Sequence, residues 1–162
     1  MDSFIFPQQD STMSLASRHL IFHGSLVLLY GLCLGAPYAR AITRGAPAEI
    51  IHAWRVAHAS LPMGAILMLA VAAVLPGMGV GKGLSWGLVV ALVVSAYAFC
   101  VSTTLAALTG QRGLNRSASH GWGRTVYAAN MVAATSSLLA AVLLVLAAAA
   151  SLVLFNKSAT GT

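Results

Sequence analysis

Acidic side chains are almost absent: Asp2, Asp10 and Glu49 are the only three among 162 residues, and all charged residues together make up 7%. A soluble domain carries roughly a quarter charged residues, so this chain cannot cover a globular surface with polar groups. Its hydrophobic fraction is 59% and its mean hydropathy +0.86. The lipid bilayer is therefore its solvent. The same scarcity excludes chemistry. None of the three carboxylates falls inside a long apolar run, which rules out a carboxylate acid–base pair within the membrane and argues against a hydrolytic zinc site of mixed His and carboxylate ligands. Cysteine is scarce as well. Cys33 and Cys100 lie in separate apolar segments with no second ligand nearby and read as two small buried hydrophobes.

What the chain does carry is apolar length. Four runs, at about 20–42, 52–76, 84–109 and 125–155, each reach the ~20 residues that a membrane helix needs. They predict an all-α, integral membrane four-helix bundle, one domain over residues 1–162. The net charge of +6 comes from nine cations at run ends and in connections, the placement that serves topology and headgroup contact rather than nucleic acid. Arg40, Arg44, Arg55, Arg112, Arg116 and Arg124 flank one side, against Arg18, Lys82 and Lys157 on the other. That bias puts the first and third connections in the cytoplasm, and the expected location is a bacterial inner (cytoplasmic) membrane, crossed several times. The alternating glycines from Gly77 to Gly83 follow no strand and lack a Gly-Lys-Ser/Thr ending, so they form a turn and not a phosphate cradle.

Within the third run, Ser95, Ser102 and Thr109 recur every seven residues, as do Tyr97 and Thr104. Small hydroxyl residues at that interval let membrane helices approach and bond to one another. In the fourth run Tyr127, Asn130 and Ser137 can share a face.

Ionisable groups inside a membrane are costly and mark function, which draws attention to histidine. His19, His52 and His120 fall at interfaces or in connections and are expected to face water or headgroups. His23 and His58 sit deeper. A single buried imidazole suits haem iron with a free sixth position, or else bonds to a neighbouring helix; the residues alone leave both open, along with a pair formed by His23 and His58 for electron transfer or sensing. Around His58, Trp54 lies one turn earlier on the same face and could pack a flat ring, and Arg55 at the interface could meet a propionate. Pro62 has no N–H for the carbonyl of His58, so the helix should loosen one turn beyond it.

Five features together resemble the styrene oxide isomerase family: the chain length, His23-Gly24 early in the first run, Trp54 with Ala57-His58 in the second, the apolar continuation to Leu75-Pro76, and Arg112-Gly113-Leu114 after the third. The resemblance spans most of the chain. It implies a small four-helix membrane protein, a homotrimer with haem b, and a histidine matching His58 as the iron ligand, with Trp54, Arg55 and Arg112 beside the cofactor. It also implies an isomerase. The iron would accept the oxygen of a small apolar epoxide, and ring opening with a 1,2-hydride shift would give a carbonyl compound without net redox change. Two positions depart from the family. Its pocket asparagine falls at Gly64, or at Ala65 if the prolines are aligned, and its pocket tyrosine falls at Thr103. Both changes remove hydrogen-bonding bulk and imply a wider or differently shaped pocket. Outside this family, the remaining readings are an electron-transfer or sensing haem protein and a non-catalytic membrane scaffold.

Overall fold

The computed structural model describes residues 13–110 and 121–160, except for the side chains of 157–160. Among these residues the secondary structure is entirely helical: α1 (Leu15–Cys33), α2 (Gly35–Thr43), α3 (Ala48–Val74), a 3₁₀ turn (Leu75–Met78), α4 (Lys82–Thr109) and α5 (Trp122–Thr160). Four stretches are long and apolar enough to cross a bilayer: Leu15–Thr43, Ala48–Met78, Lys82–Thr109 and Trp122–Asn156. They match the four expected runs, but each begins earlier by two to five residues.

The first stretch starts at Leu15 because Ser14 caps it, its hydroxyl accepting the Ser17 N–H at 3.1 Å. It is also not one helix. Pro37 cannot donate to the carbonyl of Cys33, and its ring crowds that turn. The helix therefore stops at Cys33 and resumes as α2 after Leu34. Pro62 has a gentler effect: α3 runs on through it. The difference lies in what receives the ring, as the packing shows.

α1 packs chiefly on α3, α4 chiefly on α5, and α3 also leans on α4. The α1–α3 crossing is close because it is made of small residues. A Cβ at Gly24 would sit 3.3 Å from the Met68 Cβ, and one at Gly31 only 2.6 Å from Pro62 Cδ. Ala57, Ala65 and Ala72 on α3 are fully buried. Without a hydrophobic driving force between helices in lipid, such close approach supplies much of the association. The Pro62 ring thus lies in the space that the absent Gly31 side chain leaves.

Polar pairs add to this. His23 Nδ1 and Tyr97 Oη are 3.0 Å apart, and Tyr30 Oη and Thr104 Oγ1 are 2.7 Å apart, so α1 and α4 share a seam with one seven-residue step on both sides. Ser95 donates to the Ala133 carbonyl of α5 at 3.0 Å. The interhelical role expected for the hydroxyls therefore holds at Ser95, Tyr97 and Thr104. Ser102 and Thr109 donate within α4, to the Phe99 and Leu105 carbonyls. Cys33 also departs from expectation: it is exposed, with only Cys100 partly buried, because α1 turns that side of its last turn away from α3. α5 lies along α4 and scarcely touches α3, which leaves a cleft between α3 and α5.

Candidate functional site

His58 is placed by three features of the α1–α2 junction. The last turn of a helix leaves carbonyls without an intrahelical partner, and Gly31 belongs to that turn of α1. Its carbonyl lies 2.9 Å from His58 Nδ1. A carbonyl can only accept, so Nδ1 carries the proton and Nε2 presents its lone pair. Gly35, the first residue of α2, makes room for the ring: a Cβ there would stand 3.1 Å from His58 Cε1. Tyr38 flanks it, with ring centroids 6.2 Å apart.

The Nε2 atom makes no hydrogen bond among the described residues, nor is it a buried atom lacking a partner. It therefore reaches the surface of the chain. An imidazole oriented by a carbonyl on one nitrogen and open at the other is the arrangement that metal-bound histidines adopt. Among the described residues, no three His, Cys, Asp or Glu side chains gather to hold an ion. The donor set thus suits a metal that brings its other ligands with it, as the iron of a porphyrin does.

The other expected cofactor residues fare differently. Trp54 is on the same face but is only 8% exposed, packed in the chain's own core with Val27, Leu34 and Ala107. Its ring fixes α3 against its neighbours. Arg55 is exposed, its guanidinium 2.9 Å from His52 Nδ1. Arg112 and His120 lie outside the described residues. His19 is partly buried, stacked on His23 with ring centroids 6.0 Å apart and tilted against Trp86 at 5.3 Å, rather than simply facing water. His23 is turned to Tyr97 and stands eight residues before Gly31, about 12 Å along α1. Within one chain it does not meet His58.

Gly64 and Thr103 both line one cavity of about 480 Å³ in the cleft between α3 and α5, with Leu67, Leu92, Phe99 and Leu144 among its apolar walls. Nothing lies within 4 Å of a Cβ built at Gly64, so this position widens the cavity. The Thr103 hydroxyl is occupied, donating to the Phe99 carbonyl at 2.7 Å.

His58 does not line this cavity. At 100° per residue, the α3 positions that do (Val56, Ser60, Leu61, Gly64, Leu67, Met68, Val71) centre about 135° around the helix from His58, with Leu61 at the near edge about 60° away. In a single chain the imidazole and the cavity therefore lie on different sides of α3.

Sequence reasoning missed Gly31 and Gly35, although a pair of glycines four apart in an otherwise bulky run was there to be seen. It also assigned Asn130 no part in the pocket, whereas Asn130 lines the cavity from α5.

A family model described as styrene oxide isomerase matches residues 16–149. No individual curated protein matches the chain.

Proposed function

The chain belongs to the styrene oxide isomerase family, and on that premise we propose that it is a membrane isomerase that binds haem b at His58 and converts an epoxide to a carbonyl compound. The observation that carries this reading is the 2.9 Å contact from His58 Nδ1 to the Gly31 carbonyl, with Nε2 left open. Haem held by His58 would supply a Lewis-acidic iron to polarise the epoxide oxygen.

The chain's own residues supply the rest. The Gly31 carbonyl fixes the tautomer and orientation of His58 and raises its basicity as a ligand. The mostly apolar cavity walls would disfavour water, which would otherwise open the epoxide to a diol. Among the described residues no carboxylate lines the cavity, and a hydrogen shift within the substrate needs no strong base from the protein.

The homotrimer that the family resemblance implies would give the different directions of His58 and the cavity a use. In such an assembly the cavity of one copy can face the imidazole of the next, so that both act on one substrate.

Purified protein, incubated with a panel of aryl and terpene epoxides and no reductant, is expected to yield carbonyl isomers. Absence of product from every epoxide would remove the activity. The electron-transfer reading is tested on the same preparation. Because His23 is turned to Tyr97, His23→Ala should leave the haem absorption spectrum unchanged, whereas a shift in spin state would make His23 a ligand.

A further inference from the structure

The cavity between α3 and α5 carries five polar side chains: Ser60, Ser95, Thr103, Asn130 and Ser137. Three are already committed to backbone carbonyls. Ser95 donates to Ala133 at 3.0 Å, Thr103 to Phe99 at 2.7 Å and Ser137 to Ala134 at 2.9 Å. Ser60 is exposed. Asn130 differs from all of these. It is partly buried, and among the described residues its carboxamide makes no side-chain hydrogen bond. The group offers two N–H donors and one acceptor.

Position strengthens the point. The Ser95–Ala133 bond fixes the level of α5 against α4. Asn130 is three residues before Ala133, about 4.5 Å along the axis. It therefore stands at the level of the turn from Ser95 to Phe99, on the cavity wall. An uncommitted amide in an apolar cavity at membrane depth is costly unless a ligand completes it. The volume of about 480 Å³ lies within the range of small-molecule pockets.

We propose that Asn130 is the hydrogen-bond donor that holds the single acceptor oxygen of a compact, uncharged, apolar ligand in this cavity, so that the site selects an oxygen-bearing molecule over a hydrocarbon of the same shape. The identification of that oxygen with the epoxide or its carbonyl product rests on the function proposed above. Gly64 and Thr103 leave the near walls without a free donor, and Asn130 supplies one from α5. It is a binding and specificity residue. Ring opening is not assigned to it.

The test uses the full chain in lipid nanodiscs and two fluorinated probes, 4-fluoroacetophenone and 1-ethyl-4-fluorobenzene, titrated by fluorine NMR. Partition into lipid is common to all variants and cancels between them. A neutral hydrogen bond corresponds to about three- to tenfold in affinity. Wild type is expected to prefer the ketone by that factor. Asn130→Leu is expected to abolish the preference while the hydrocarbon binds within about twofold of wild type, and Asn130→Gln to retain part of it. An unchanged preference in Asn130→Leu, or none in wild type, overturns the proposal. Should the leucine variant fail to elute as wild type does, Asn130→Thr, with a hydroxyl too short to reach, is read by the same two outcomes. Loss of the preference in a protein that isomerises no epoxide would retain this role for Asn130 and remove the isomerase. Isomerisation with the preference intact in Asn130→Leu would do the reverse.

Discussion

His58→Ala, purified from cells with an ample haem supply, is expected to be colourless where wild type shows a haem absorption band, and to lose epoxide isomerisation with it. The loss should be nearly complete, because the other deep histidine, His23, is turned to Tyr97 and stands about 12 Å along α1 from Gly31. The fold should survive. His58 contributes one hydrogen bond to α1 and is only partly buried, and such bonds between membrane helices average about 0.6 kcal/mol. Circular dichroism should therefore match wild type, which separates loss of the ligand from loss of the protein. Free imidazole added to His58→Gly should restore part of the band, since the replacement leaves the space of the ring and the Gly31 carbonyl in place. A colourless wild type under the same conditions would instead favour a scaffold, in which His58 serves only the bond to Gly31.

Much of this site was legible before any coordinates. The four apolar runs fixed the class, because a chain with three carboxylates in 162 residues has nowhere else to fold. His58 stood out as a titratable group inside such a run, and Gly64 and Thr103 do share a cavity. The angle between His58 and Gly64 could even have been computed from the 100° helical step. What it meant could not, because only the placement of α5 along α4 shows which side of α3 borders the cleft. Trp54 shows the same limit. It sits one turn from His58 on the same face, yet whether a ring there meets a cofactor or the core depends on how closely α1 and α2 approach, and here the core takes it. That closeness depends on residues without side chains. Gly31 and Gly35 gave no signal in a search for chemistry, since their contribution is the space they leave and, at Gly31, a backbone carbonyl.

Gly31→Ala should accordingly damage both stability and cofactor retention, although it adds a single methyl group. The new Cβ would stand 2.6 Å from Pro62 Cδ and 3.0 Å from Pro62 Cγ and Leu61 Cβ. None of these is the free end of a flexible chain, so α1 must move away from α3. Overpacking of this kind costs about 1–3 kcal/mol. Moving α1 also carries the Gly31 carbonyl away from His58 Nδ1, which weakens the bond that orients the ligand. Outer contacts of that type are worth roughly 10- to 100-fold in metal affinity, so haem occupancy should fall further than the lowered melting temperature alone would suggest. Pro62→Ala provides the control. It deletes Cγ and Cδ, the ring atoms in conflict, and restores an N–H that can reach the His58 carbonyl. In the double variant Gly31→Ala/Pro62→Ala, part of the lost stability and occupancy should return, a coupling of about 0.5–3 kcal/mol for residues in contact. Recovery stays incomplete because the Leu61 Cβ contact remains. If melting temperature and haem content in the two single variants simply add in the double, Gly31 and Pro62 do not press on one another, and the imidazole owes its placement to something other than this crossing.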